Sequence, residues 1–277
     1  QELRGLKVKF LSSDPDPGTA GDVWYNSTSF ALKGFVGRAA WSAGSLLTAA
    51  RKGLAGAGTQ TAGLAFGGTG DTNATEEYNG SGWATGGDLN TARASIAGAG
   101  TQTAGLAISG NAPPVTNSSE EYNGTSWTAG ENMGTARGYL AGAGTQTAGL
   151  AFGGDEAPGY TGKTEEYDGT NWTESGDLNT ARSSLAGAGI QTAGLAFGGD
   201  TPPATGKTEE YDGTSWTEVS DLNTARIRLG GAGLQTAALG FGGYTTANVA
   251  IAESYDGSSW TEVADLGTAR ERIAGAG

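Results

Sequence analysis

The 277-residue chain contains no cysteine and no histidine. The first absence excludes disulfides, thiolate zinc sites and cysteine nucleophiles. The second removes the usual metal ligand and the usual general base near neutral pH. Histidine-triad hydrolases and histidine-ligated zinc, copper or iron enzymes are excluded, and neither a metal nor a cofactor is expected. Aliphatic bulk is scarce: Leu, Ile, Val and Phe fill 40 positions, below the roughly one-fifth under which a charged chain is suspected of disorder. No run of about 18 apolar residues exists, so no membrane span is predicted. The opening QELRGLKVKFLSSDPDPG is too polar and interrupted to read as a secretory signal. Lys and Arg total 16 against 29 Asp and Glu, a formal net charge of -13, which makes nucleic acid a poor partner.

What the chain has is glycine, 51 of it, and a period. Trp41, Trp83, Trp127, Trp172, Trp216 and Trp260 step by 42, 44, 45, 44 and 44 residues. Arg51, Arg93, Arg137, Arg182, Arg226 and Arg270 keep the same steps, each ten residues after its Trp. A tyrosine precedes five of the tryptophans by five: Tyr78, Tyr122, Tyr167, Tyr211 and Tyr255. One interval stretches, from the Gly-Gly pair (Ser109-Gly110 in one copy) to the tyrosine, at 11, 13, 14, 13 and 13 residues. One loop per unit is therefore elastic and the other spacings are locked.

Each unit reads as four short strands. A segment such as SSLAGAG turns at Ile190-Gln191 into TAGLAFGG, and the elastic loop leads to TEEY. Asp-Gly or Asn-Gly, a type I′ hairpin signal, leads on to WTE, and a link such as DLNTAR opens the next unit. Four strands in about 44 residues suit a propeller blade; a helical solenoid would show a 3.6-residue apolar period. Glycine and alanine fit inner strands converging on an axis. The Phe, Tyr and Trp series fit the wider spaces between sheets, each burying about 150–250 Å².

The order Gly-Gly, Glu-Glu-Tyr-Asp-Gly, Trp, Thr-Ala-Arg resembles the kelch repeat, from about residue 41 onward. The variant AGAGTQTAGLAFGG is similar to kelch-like proteins of bacteriophages, marine ones especially. DPDPGTAGDVWYNSTS resembles a short cassette of phage tail-fibre and virion appendage proteins. The resemblance implies a virion location, other virion proteins as partners, and several copies in an assembly.

Five units are complete, and ERIAGAG at 271–277 matches the first strand of a sixth. Asp22–Asn26, Phe30–Phe35 and Trp41 are expected to supply its remaining strands. The expectation is thus an all-β, six-bladed propeller of four-stranded antiparallel blades, its last blade closed by 22–47 with 271–277. Closure would remove exposed sheet edges. Residues 1–21 are read as an arm or linker, with Leu6–Phe10 as an added strand.

Residues repeated in every blade are read as structural, the Trp and Arg series among them. The arginines admit a ring of guanidinium groups at the channel mouth, an anion site for a sulfated or acidic glycan. They equally admit pairing with carboxylates such as Glu76-Glu77, and repetition favours pairing. Adjacent strand residues face opposite sides, so Glu120-Glu121, Glu165-Glu166 and Glu209-Glu210 do not converge as the two acids of a glycosidase. Six Asn-x-Ser/Thr triplets, at Asn26, Asn73, Asn79, Asn117, Asn123 and Asn171, include two that occupy the Asp-Gly turn position and are explained by it.

Strand parity puts the elastic loops and the links on one face. Loops on a stiff scaffold carry binding specificity. Candidate contacts are Asp71, Asn73, Asn111, Asn117, Asp155, Glu156, Tyr160, Asp200 and Tyr244. Asp and Asn suit sugar hydroxyls, and Tyr suits the face of a pyranose ring. No loop has the D-x-[DN]-x-[DN]-G calcium spacing. The reading is a non-enzymatic, tail-fibre-like virion protein offering this face to a host-surface glycan or a virion protein. The alternatives are a polysaccharide-degrading enzyme on the same scaffold and a bacterial secreted adhesin.

Overall fold

The computed structural model describes residues 9–11, 23–26, 31–34, 41–70 and 72–277. They fall into two units, Gln1–Ala40 and Trp41–Gly277. Among the described residues no helix is long and apolar enough to cross a membrane.

In the first unit β1 (Lys9–Leu11), β2 (Val23–Asn26) and β3 (Ala31–Gly34) form one sheet in that order. The second and third lie close to the expected strands and pair antiparallel. The ends of those expected strands, Asp22, Phe30 and Phe35, lie outside the described residues. The other edge of β2 is taken by β1 in parallel, Lys9 opposite Trp24. A strand has two edges, so none is left for 271–277 to pair with. The expected sixth blade built from both ends of the chain is therefore not formed.

The second unit contains five four-stranded antiparallel blades. The inner strands are Ala55–Thr59, Ala97–Thr101, Ala141–Thr145, Ala186–Ile190 and Gly230–Leu234. In the fourth blade Ile190 pairs with Ala193, which places the tight corner at Gln191-Thr192, one residue later than expected. Ala193–Phe197 follows, then Thr208–Tyr211 and Trp216–Val219. The hairpin after TEEY also departs from expectation. Four residues separate Tyr167 from Trp172, and of Asp168 and Gly169 only the glycine has positive φ. The Asp168 carboxylate accepts the N–H groups of Thr170 and Asn171. An Asx turn takes the place of type I′.

Glycine lets the inner strands approach. A Cβ on Gly231 would lie 2.6 Å from the Gly187 carbonyl oxygen and 2.8 Å from Phe197 Cζ. The core lies between blades. Phe66 packs on Trp127, Phe152 on Trp216 and Phe197 on Trp260, with ring centroids 4.8 Å apart. In each pair the phenylalanine comes from one blade and the tryptophan from the next. Each tryptophan also donates its indole N–H to a threonine of the preceding blade, Trp216 to Thr164 at 2.9 Å for example.

Around the axis, the 271–277 segment occupies a sixth inner position although it forms no strand. A Cβ on Gly56 would lie 2.8 Å from the Gly275 carbonyl oxygen, and one on Gly275 would lie 2.0 Å from that of Gly231. Trp41 stands on Phe241 with ring centroids 5.1 Å apart, as the later tryptophans stand on earlier blades. The two ends of this unit thus meet at one position, through side chains and loop backbone, without a shared sheet.

Candidate functional site

The Glu-Glu pairs are consumed by the scaffold. The first acid of each pair faces the link arginine: Arg51–Glu76, Arg93–Glu120, Arg137–Glu165, Arg182–Glu209 and Arg226–Glu253, all buried. Burial pulls Arg93, Arg137 and Arg226 below the usual guanidinium value, and the facing glutamates pull back. Burial also pushes the Glu76 carboxyl up, but the Thr48 N–H and Arg51 outweigh it and hold it below its ordinary value. The second acid accepts the tyrosine of the next blade: Tyr122 on Glu77, Tyr167 on Glu121, Tyr211 on Glu166 and Tyr255 on Glu210. Burial, reinforced by these carboxylates, pushes Tyr122 and Tyr211 up to about 12. In the fifth blade the second acid is Ser254, and no sixth tyrosine follows.

These arginines therefore do not ring a channel, and the two acids of a pair face opposite ways. Arg270 differs from the other five: it is exposed and donates Nε to the Thr268 carbonyl at 3.3 Å.

The elastic loops and links share one face. Thr69 N–H bonds Lys52 O, and Asn111 N–H bonds Ala94 O. The corners and Asx turns share the other, where Gly169 sits against Thr147. The candidate loop residues then divide. Asp71 lies outside the described residues. Asn73 and Asn117 donate to Leu89 O and Met133 O and receive those residues' N–H groups on their own carbonyls, so they tie loop to link. Asn111 ends a long strand, Ala104–Asn111. Asp155–Glu156 and Gly159–Tyr160 form a small hairpin. From it Tyr160 reaches the next blade and donates to Asp200 at 2.9 Å, while Glu156 pairs with Lys163 at 3.1 Å. Tyr244 lies under Arg228, 5.9 Å from ring centroid to Cζ. Asp155, Glu156, Tyr160 and Asp200 thus form one cluster, and Tyr244 belongs to a second feature.

That feature is the axial mouth. Two residues after each series arginine stand Gly53, Ser95, Tyr139, Ser184, Arg228 and Arg272. All six have φ between 52° and 67°. Left-handed backbone costs a non-glycine residue on the order of 1 kcal/mol or more. Each N–H donates to the carbonyl of the preceding member: Ser95 to Gly53, Tyr139 to Ser95, Ser184 to Tyr139, Arg228 to Ser184, Arg272 to Arg228 and Gly53 to Arg272. The six bonds, 2.8 to 3.0 Å long, form a closed cycle. These six residues and, below them, Leu54, Ile96, Leu140, Leu185, Leu229 and Ile273 line one open cavity of about 80 Å³.

The mouth is polarised. Lys52, Arg228 and Arg272 stand on adjacent positions, with Glu271 as the facing carboxylate, 2.9 Å from Arg228 and 3.3 Å from Lys52. Arg272 extends across the mouth to the ring of Tyr139, three positions away, with Cζ 5.6 Å from the centroid. Asp155 and Asp200 are bridged to Gly138 and Ser183 on the other side. The sequence reading passed over these six residues. Their signal was available: between a repeated arginine and a repeated Leu or Ile, two positions change in nearly every copy. Neither a protein-family model nor a curated protein matches the chain.

Proposed function

We propose that the chain is a non-enzymatic binding scaffold, a tail-fibre-like appendage protein of a bacteriophage virion, which offers its loop face to a host-surface glycan or another virion protein. The observation that carries the binding reading is where the copies differ. The Arg–Glu, Tyr–Glu and Phe–Trp contacts recur from blade to blade, and divergence gathers in the loops and mouth of one face. Rigid support under variable loops is the arrangement of a recognition surface. The repeated carboxylates are held in ion pairs and hydrogen bonds and so are poor candidates for acid and base work. The virion reading rests on the likeness of AGAGTQTAGLAFGG and DPDPGTAGDVWYNSTS to phage sequences. Weak sites on many copies would gain avidity.

Two measurements test the two parts. Mass spectrometry of purified virions is expected to find the chain among their proteins; its absence there removes the virion reading. On a glycan array, exchange of the 155–164 loop for the 200–208 loop is expected to change which glycans bind. An unchanged profile, or turnover of a bacterial polysaccharide, overturns the binding-face reading.

A further inference from the structure

We propose that the axial mouth is a site for one oxyanion, the sulfate or carboxylate of an acidic saccharide, seated between Arg272 and Arg228. For the saccharide carrier the proposal rests on the display-face reading; for the anion it rests on the mouth alone.

Three observations converge. Lys52 and Arg228 share one carboxylate, Glu271, and Arg272 adds a third cation beside them, which leaves a local cationic excess in a chain whose net charge is -13. The Glu271 oxygens are taken by Arg228 and Lys52. Among the described residues, the Arg272 guanidinium is in no ion pair and rests on an aromatic face. Its Nε is buried without a hydrogen-bond partner, as are those of Arg228 and of the series arginines Arg93, Arg137, Arg182 and Arg226, but of these six only Arg272 lacks a carboxylate among the described residues. A buried donor left unmatched is costly, and a planar guanidinium is shaped for oxyanions. Finally, non-glycine residues in left-handed backbone are gathered at this ring, and strain of that kind collects at binding sites.

Size limits the occupant. One water needs roughly 10–15 Å³ of such space, so about 80 Å³ accepts a sulfate or carboxylate group and not a whole pyranose. The sugar would lie outside, over the loops. Asp155 and Asp200, bridged to Gly138 and Ser183 at the rim, are not among the residues that line the cavity, whereas Arg228 and Arg272 both are. The distant acids act through solvent and are screened beyond about 10 Å at 0.1 M salt.

Titration of the full chain with sodium sulfate at 0.1 M salt, followed by amide NMR shifts and calorimetry, tests the proposal. Saturable shifts are expected at Gly53, Arg228 and Arg272, with affinity lowered about tenfold by Arg272→Gln. Arg272 has no carboxylate partner among the described residues, so this variant is expected to keep the thermal midpoint. Tyr139→Ala supplies a second variant, expected to weaken binding less. A shift-free titration, or sulfate binding that survives both variants unchanged, overturns the mouth site. A sulfated galactose and glucuronate are then compared with neutral galactose. Tighter binding of either acidic sugar than of its bare anion supports the saccharide carrier. Bare sulfate binding without any such gain keeps the mouth site and counts against glycan display.

Discussion

The interfaces between consecutive blades and the seam between the fifth blade and the first use the same residue types to different depth. At an interior interface, Phe197 is fully buried beneath Trp260, Tyr255 caps Glu210, and the Gln235 amide donates to Gly194 O and Tyr211 O. At the seam, Trp41 covers Phe241 but stays 39% exposed, and Leu46 is 89% exposed. Ion pairs and loop hydrogen bonds replace the missing sheet: Lys52 and Arg228 clasp Glu271, and Gly53 N–H bonds Arg272 O. A repeat can thus keep its letters at a position where the partner strands are gone. The environment, and not the letter, then sets what each residue contributes.

The arginine series separates the two environments most widely. Arg182 and Glu209 are fully buried, and the carboxylate also receives N–H groups from Asn179. Glu209→Ala leaves a buried cation unpaired, at a cost of about 3–5 kcal/mol. For a chain of this size that lowers the thermal midpoint by on the order of 10 °C. Arg270→Ala, at an exposed residue of the same series, is expected to stay within about 0.5 kcal/mol. Calorimetry of the two variants checks the difference, and equal losses would erase the distinction between interface and seam.

Much of this was legible in the sequence. The fixed Trp-to-Arg spacing carried the four-stranded blade, because each strand length and turn is constrained by its neighbours in the sheet. Period-two alternation placed Glu165 and Glu166 on opposite faces, where they hold Arg137 and Tyr211. The seam was not legible, because the 22–35 segment carries no repeat letters and β2 found a closer partner in β1. The mouth was missed for another reason: Ser95, Tyr139 and Arg228 give no local sign of left-handed backbone, which glycine usually announces. Of the loop candidates, Asn73 and Asn117 are occupied by link backbone, a contact across 16 residues that no short-range pattern reveals.

The tyrosine latches give the next largest effect. Tyr211→Phe removes a 2.6 Å bond to Glu166 and is expected to cost about 1.5–3 kcal/mol, the range for a hydrogen bond to a charged group. Tyr78→Phe, in the first blade, removes no such latch among the described residues and is expected to cost little. Alkali tests the same contacts. The folded chain holds Tyr122 and Tyr211 protonated up to about 12, above the ordinary phenol value of 10.0. A group whose folded pKa is raised contributes fully below its unfolded value and loses that contribution as pH climbs through the folded one. Phenolate absorbance from these two residues is therefore expected near pH 12 while the chain stays folded, and nearer pH 10 only together with loss of β circular dichroism. Their titration near pH 10 in a still-folded protein would show that the latches contribute nothing.

The smallest effect belongs to the seam clasp. Lys52 and Arg228 are partly exposed, with side-chain exposures of 54% and 30%, and exposed pairs contribute about 0.2–1 kcal/mol. Glu271→Gln is accordingly expected to move global stability by less than about 1 kcal/mol, while amide exchange at Gly53 and Arg272 quickens. The pH dependence has a definite sign. Partial burial pushes the Glu271 carboxyl up, but hydrogen bonds from Arg228 and Lys52 outweigh it and hold the group below its ordinary 4.5. A depressed carboxylate contributes fully above that ordinary value, and the contribution fades as pH falls through the lowered one. The protection of the Gly53 amide, with the intrinsic pH dependence of exchange divided out, should therefore fall on acidification below about pH 4.5 in the wild type and stay flat in Glu271→Gln. Equal acid response in both would mean that the backbone cycle at the mouth closes the ring without the clasp.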